Sequence, residues 1–322
     1  MNSSDLSQRL FEGLMSDLEN KSSFADSRPL LAHFTTIAVV EQILKNKEIW
    51  FSNPLFMNDH EEIRFGMLQG VEALIFSAEL RDACKSVDDF DYLCDQVIGY
   101  RDNYAEAGAV DTFVFSLSIV EEDDHDGLLS MWRGYGGNGG GAALVFDTKA
   151  LTENQDSPLI VAPVEYLSTV DRLTALKELV SKCGQLIKKY SVAKDGLHLV
   201  AHHFLERLKI FSLFTKHVGF KEEKEWRVVY MPERDPDGVL KPLFGYHIGP
   251  SAIEPKLKFP IGRGSQMIGG ELEMNKLVHR IILGPTMSSP LARASFLKML
   301  AVCAPALSEK VVTSSIPYRS RI

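Results

Sequence analysis

The sequence predicts an α+β fold: a single domain on a mixed, mainly antiparallel sheet, as one sheet or two packed sheets, flanked by helices and helical insertions. Two observations favour this class. Strand-like segments recur along the whole 322-residue chain and are separated by helices of different lengths. Hydrophobic residues make up 45% and charged residues 24%, which is typical of a globular protein with a sizeable core.

The first 26 residues are predicted to form an amphipathic helix and a linker. One apolar stripe runs along this helix, so it packs on the rest of the chain or docks a partner protein. The stripe consists of Leu6, Leu10, Phe11, Leu14 and Leu18. Residues 27–322 are predicted to be the single α+β domain, with helical insertions near 60–108 and 170–214.

The first half of that domain alternates strands with helices. Strands are predicted at LLAHF and EIWFS, on either side of the helix IAVVEQILKN. Thr35 or Thr36 caps that helix, and Asn58 or Asp59 caps the next one. TFVFSLSIV, residues 112–120, is a further strand because apolar side chains alternate along it.

The second half contains a short helix, a glycine-rich turn and more strands. Leu128, Leu129 and Trp132 give the helix its spacing, and AALVFD follows the glycines as a buried strand. Two helices are predicted between Asp171 and Phe214. Further strands are predicted at residues 161–167, 224–232, 242–248, 279–285 and 311–316.

The glycine-rich turn packs six glycines into the eight positions Gly134 to Gly141. Gly134, Gly136 and Gly139 match the G-x-G-x-x-G spacing of dinucleotide sites. Such sites place the glycines between a strand and the helix that follows it, whereas here a helix precedes them and a strand follows. This order excludes a Rossmann loop. A backbone that approaches a ligand closely and a mobile surface turn remain as alternatives.

The net charge, the cysteines and the lack of long apolar runs exclude several classes of protein. With a net charge of −8, we do not expect non-specific electrostatic binding to DNA or RNA. Because no C-x-x-C pair occurs, we expect reduced thiols in a cytoplasmic protein. We expect no membrane association, since no apolar run reaches transmembrane length and the N-terminus is unlike a signal peptide. The cysteines are Cys84, Cys94, Cys183 and Cys303.

Three predicted strands carry polar side chains at alternate positions, so a period of two places each set on one face. Each set has a structural interpretation: a hydrogen-bonded buried histidine, a solvent-facing strip or a salt-bridged strip. Each also has a functional one, in which the face lines a ligand groove. The sets are His33 with Thr35, Ser116 with Ser118, and Glu223, Glu225 and Arg227.

A metal-dependent hydrolase or nuclease is a further hypothesis. It rests on two acidic clusters: residues 58–62, which include Asp59 and Glu62, and residues 121–126, which include Asp124. Neither cluster matches H-E-x-x-H or an EF-hand loop. Helix capping explains Asp59 and Glu62 better, so no metal ion is expected. A serine nucleophile is not indicated either, because G-x-S-x-G is absent.

An ordered set of motifs resembles a bacterial family catalogued as domain of unknown function 2971. The motifs are LAHFTT, WFSNPLFMNDHEE, FVFSLS, LLSMWRGYGGNGGGAALVFD and F-x-x-E-x-EWR, over roughly residues 30–285. This resemblance specifies no activity.

The motif order also resembles, more weakly, the ADP-ribosyltransferase superfamily, whose members split NAD between nicotinamide and ribose. The resemblance implies that His33, followed by Thr35, holds the adenosine-side ribose or the nicotinamide amide. It implies that Ser116 and Ser118 shape the NAD cleft. NAD is then the substrate, and no metal is needed.

The same resemblance assigns the catalytic carboxylates. Glu225 would hold the ribose 2′-hydroxyl and stabilise positive charge on the sugar. Glu223 would orient the acceptor. Arg133, beside the glycine turn, would meet the diphosphate, and Arg227 would bind NAD or pair with Glu225 structurally. The aromatic that stacks on nicotinamide has four candidates: Phe34, Trp50, Phe56 and Tyr135.

The weaker resemblance therefore implies an NAD-dependent ADP-ribosyltransferase-like enzyme, which would act as a toxin or a phage-defence effector. Its macromolecular acceptor, protein or nucleic acid, is not specified. The alternative is a non-catalytic regulatory protein that binds a nucleotide or a partner, with the N-terminal helix as a docking element.

Overall fold

A computed structural model describes residues 2–18, 24–57, 60–151, 157–248, 253–262 and 272–318. It confirms the α+β class. The chain divides into two compact units. The first unit comprises residues 1–23, 53–112 and 164–220, and the second unit comprises residues 24–52, 113–163 and 221–322.

The α-helices occur in both units. They are α1 (Ser3–Met15), α2 (Phe24–Ser27), α3 (Ile37–Asn46), α4 (His60–Ile75), α5 (Ala78–Ala83), α6 (Val87–Asn103), α7 (Leu129–Gly134), α8 (Thr169–Tyr190), α9 (Leu197–Phe214), α10 (Met274–Leu277) and α11 (Pro290–Cys303). Within the described ranges, none is both long and apolar enough to cross a membrane.

The strands are shorter than most of the helices. They are β1 (Leu30–Thr35), β2 (Glu48–Ser52), β3 (Phe113–Val120), β4 (Ala142–Asp147), β5 (Leu159–Pro163), β6 (Glu165–Leu167), β7 (Thr215–His217), β8 (Glu225–Tyr230), β9 (Phe244–Ile248), β10 (Ile253–Pro260), β11 (Val278–Leu283) and β12 (Val311–Thr313).

The second unit is built on a ten-stranded sheet. Its main order is β12-β11-β4-β1-β3-β2-β10-β9, while β8 pairs with β3 and β5 pairs with β8. All described pairs in this sheet are antiparallel except β11–β12, so the predicted mixed, mainly antiparallel sheet is confirmed.

Apolar side chains pack on both faces of this sheet. Phe113, Phe115 and Leu117 of β3 join the larger core, as the alternation in TFVFSLSI predicts. Helices α3 and α11 add apolar side chains to that core. A smaller cluster that includes Ala32 and Trp132 covers part of the other face.

The sheet splits along one edge of β3. Ser118 pairs with Ala32 of β1, while Val114 pairs with Ser52 of β2. Strand β8 occupies the opposite edge, where it pairs with β3 residues 113–118. Strands β1 and β2 therefore share one edge of β3, and a gap between them lies near Ser116.

The first unit is mainly helical. It contains α1, α4, α5, α6, α8 and α9 with the parallel pair β6–β7, so both predicted helical insertions lie in it. Its α1 begins after the Asn2 cap and buries Leu10 and Leu14 against α8 and α9. That residues 27–322 form a single domain stays a prediction.

Several elements differ from the sequence predictions. Strand β10 and helix α11 were not predicted, and the strand predicted at 161–167 is divided between β5 and β6. Pro255 and Pro260 hide β10 in the sequence because proline is depleted in strands. Thr36, rather than Thr35, caps α3, whereas the Asn58 or Asp59 cap lies outside the described residues.

Candidate functional site

Four of the predicted site residues lie together on β3 and β8 of the second unit. Ser118 is directly opposite Glu225, and Ser116 is directly opposite Arg227. Cross-strand partners project from the same face of a sheet, so all four side chains share one face. Two of the three predicted polar sets therefore converge.

Glu225 and Arg227 form a buried ion pair within β8. The Arg227 Nε donates to Glu225 Oε1 at 2.8 Å, and its Nη2 donates to Oε2 at 3.1 Å. Glu225 is 5% exposed and Arg227 is 1% exposed. The two-bonded contact fixes the carboxylate orientation, since a guanidinium fork matches a carboxylate.

The serines beside this pair are also removed from solvent. Ser118 is 2% exposed. The Ser116 hydroxyl is buried and, within the described ranges, has no hydrogen-bond partner. An unpaired buried hydroxyl costs free energy, and such groups concentrate where a ligand or water completes the network.

Glu223 lies near this group but not on the strand. It ends a 3-10 helix at Val218–Glu223, and Lys224 then takes a left-handed backbone with φ of 44°. The predicted strand face containing Glu223, Glu225 and Arg227 is therefore wrong at Glu223, because the left-handed residue breaks the alternation.

Tyr135 connects the glycine-rich segment with Glu223. Its hydroxyl donates to Glu223 Oε1 at 3.1 Å. Among the four aromatic candidates, Tyr135 is thus the one with a described contact to the E-x-E segment. Phe34 instead packs on Trp132 in the smaller apolar cluster, and Trp50 bonds Glu48.

His33 and Thr35 do not join Glu225. They alternate with Ala32, which pairs with Ser118, so they lie on the opposite face of the sheet. The His33 ring packs on Phe115 with centroids 4.5 Å apart. The polar set on β1 therefore does not share a face with the sets on β3 and β8.

His33 instead occupies the split beside β3. Its Nδ1 donates to the Ser116 carbonyl oxygen at 3.0 Å, which assigns the ring proton to Nδ1. Burial lowers the pKa of His33, although the bond to Ser116 opposes that shift. The ring is therefore neutral at pH 7. It supplies a hydrogen bond to the Ser116 carbonyl oxygen at the gap between β1 and β2.

The glycine turn is packed by protein. A side chain at Gly141 would collide with the Thr35 and Gly136 carbonyl oxygens, and one at Gly284 would collide with the Gly139 oxygen. Gly137 and Gly139 have positive φ values of 55° and 89°. These missing side chains thus admit neighbouring backbone, which is a structural explanation for the turn.

Arg133, at the last turn of α7, is exposed. Its guanidinium lies over the Tyr318 ring, 5.2 Å from the centroid. No described contact links it to Glu225. Trp132 next to it is fully buried and donates from its indole nitrogen to the Asp126 carbonyl oxygen at 2.8 Å.

The acidic residues of the hydrolase hypothesis do not form a described site. Asp124 Oδ1 accepts from the backbone nitrogens of Asp126 and Gly127 at 2.9 and 2.8 Å, which is a turn-stabilising role. Asp59 and the Glu62 side chain lie outside the described residues.

A different group of metal-ligand residue types lies on α9, with the spacing H-H-x-x-E, and was not predicted from the sequence. It consists of His202, His203 and Glu206.

Comparison with known proteins confirms the family resemblance over part of the chain. Residues 131–228 match the family described as "Protein of unknown function (DUF2971)". This range includes the glycine turn, Glu223, Glu225 and Arg227. Neither a curated protein nor a solved structure matches the chain.

Proposed function

We propose that the chain is an NAD-dependent ADP-ribosyltransferase-like enzyme that cleaves the nicotinamide–ribose bond, with Glu225 as its essential carboxylate. The observation that carries this proposal is the convergence of Glu225, Arg227, Ser116 and Ser118 on one face. A buried carboxylate and guanidinium are costly to keep, and such groups concentrate at functional sites.

The proposed chemistry needs a carboxylate of fixed orientation. Breaking the nicotinamide–ribose bond builds positive charge on the sugar, which a nearby carboxylate stabilises. Arg227 holds the Glu225 carboxylate in place, and the unpaired Ser116 hydroxyl offers a hydrogen bond to a ligand. Glu223, held by Tyr135, is the acceptor-side carboxylate.

In this proposal the enzyme acts in the cytoplasm, as a toxin or defence effector, on a protein or nucleic-acid acceptor. The described cysteines are free thiols, which suits a reducing compartment. A partner protein bound through α1 is a weaker element, because α1 already buries Leu10 and Leu14 within the first unit.

A non-catalytic nucleotide- or partner-binding protein is the second candidate. Two observations favour it. Arg227 occupies both oxygens of Glu225, and His33 lies on the opposite face of the sheet. A carboxylate already neutralised by a guanidinium has less field to offer a developing cation.

Labelled NAD tests both candidates. We expect the wild-type chain to release nicotinamide or to label a macromolecule in lysate, and Glu225→Gln to lose this activity. Glu222→Gln is the matched control, because Glu222 is an exposed carboxylate three residues earlier. Circular dichroism must show all three proteins folded. NAD binding by calorimetry without turnover would support the second candidate, and neither binding nor turnover would remove both NAD-based candidates.

A further inference from the structure

A cluster of two histidines and one glutamate lies on α9 in the first unit. His202 and His203 are adjacent, and Glu206 follows one helical turn later, so its carboxylate can reach both rings. Glu206 Oε2 is 2.9 Å from His203 Nδ1, and Oε1 is 3.5 Å from His202 Nε2.

The spacing of these atoms suits a metal ion. One ligand atom from each residue lies within 4.8 Å of the others. Zinc binds nitrogen and oxygen ligands at about 2.0–2.2 Å, which places tetrahedral ligand atoms roughly 3.3 Å apart. Binding an ion therefore requires the side chains to rotate until the three atoms reach that separation.

We propose that His202, His203 and Glu206 bind a divalent transition-metal ion of the zinc class. Two imidazoles and one carboxylate are a donor set that zinc accepts, with a water molecule in the fourth position. The His202 side chain is 42% exposed and that of Glu206 is 20% exposed, so an ion enters from solvent. This site is independent of the proposed transferase activity.

Ser7 on α1 completes the surroundings of the ion. Its hydroxyl lies 2.8 Å from His203 Nε2. When His203 Nδ1 binds the metal, the ring proton resides on Nε2 and is donated to Ser7 Oγ. Metal-bound histidines commonly donate their second N–H in this way, which fixes the ring and strengthens the bond.

The proposed ion therefore links α1 to α9. The Phe11 ring of α1 also contacts the His203 ring edge-on, with centroids 5.9 Å apart. Because the ion binds the helix pair when α1 is docked, it stabilises that docked state by mass action. Its role is structural or regulatory rather than a step in the NAD chemistry.

Calorimetry with ZnCl₂ on the tag-free full chain tests the site. We expect one Zn²⁺ per chain with a Kd in the micromolar range or tighter. His202→Ala and Glu206→Gln should each weaken binding by about tenfold or more, as loss of one ligand requires. His198→Ala is the matched control: it is a histidine on the same helix, and its Nδ1 bonds the Asp195 carbonyl oxygen instead.

A Co²⁺ spectrum separates this site from zinc bound by thiols, and two further measurements test the residues around the ion. Co²⁺ should give visible bands of a nitrogen- and oxygen-ligated ion without the intense thiolate charge-transfer band. Zn²⁺ should raise the Tm of the wild-type chain but not of His202→Ala, and Ser7→Ala should lower the affinity about tenfold. Equal Zn²⁺ affinity in all the variants, or no Zn²⁺ binding by the wild-type chain, would overturn the proposal.

Discussion

Arg227 holds Glu225 by two hydrogen bonds within a single strand, at 2.8 and 3.1 Å, and both side chains are buried. Residues two apart on a strand face the same side, so β8 itself brings the charges together. Losing one member leaves the other as a buried charge deprived of this partner, and this cost underlies the first prediction.

Single substitutions at this pair should be far more damaging than the double substitution. We expect Arg227→Met or Glu225→Met to lower the free energy of unfolding by about 3–5 kcal/mol. The double variant should lose much less than the sum, because two apolar chains fill the space without a stranded charge. Urea denaturation measures all three. Additive losses would show that the two side chains act independently.

Alanine substitutions at two glycines of the turn should have different effects on stability. Gly141→Ala should lower the free energy of unfolding by about 2 kcal/mol or more, since its methyl group would collide with the Thr35 carbonyl oxygen. Gly134→Ala should be neutral or stabilising by about 0.5–1 kcal/mol, because Gly134 ends α7 with open space beside it. Thermal unfolding distinguishes them, and similar losses at both positions would contradict the close packing described for Gly141.

Asn53 makes a buried polar contact that a carboxylate cannot replace. Its Nδ2 donates to the carbonyl oxygens of Ala109, Val110 and Thr112 at 2.7, 2.8 and 3.0 Å. Asn53→Asp removes these donors and places a negatively charged carboxylate beside the three carbonyl oxygens. We therefore expect the free energy of unfolding to fall by about 3 kcal/mol or more.

The same substitution at Asn2 is its control. Asn2 caps α1 by accepting from the Asp5 nitrogen, and aspartate caps a helix equally well. We expect Asn2→Asp to stay within about 0.5 kcal/mol of the wild type in urea denaturation. A comparable loss at both positions would indicate a general effect of added negative charge.

His33 predicts a pH dependence of stability. Burial lowers its pKa below the ordinary 6.5, so the unfolded chain takes up the proton at higher pH than the folded chain. Stability contributed by the neutral ring is present above about pH 6.5 and is lost as the pH falls towards the folded pKa.

The matched variant is His33→Gln, whose amide can still donate to Ser116. The difference in unfolding free energy between wild type and variant should shift in favour of the variant as pH falls from about 7 to 5. Urea denaturation at several pH values gives this difference. A difference that is constant across this range would show that His33 does not titrate on unfolding.

Local patterns were sufficient for much of the fold and for part of the site. The alternation along β3 and β8 correctly predicted which side chains of each strand face the core, because burying one face imposes a period of two. Helix α9 was predicted from its apolar spacing, yet H-H-x-x-E within it was overlooked, although its i, i+3 and i, i+4 spacing was visible in the sequence.

The sequence by itself determined the α+β class, most element positions and the faces of single strands, because these depend on neighbours within a few residues. Only the tertiary structure decided that Ser118 meets Glu225 while His33 lies on the opposite face. That outcome depends on strand order and register between segments about a hundred residues apart in the chain. The alternation within one strand is compatible with many such pairings. A single left-handed residue also ends the alternation, as Lys224 does between Glu223 and Glu225.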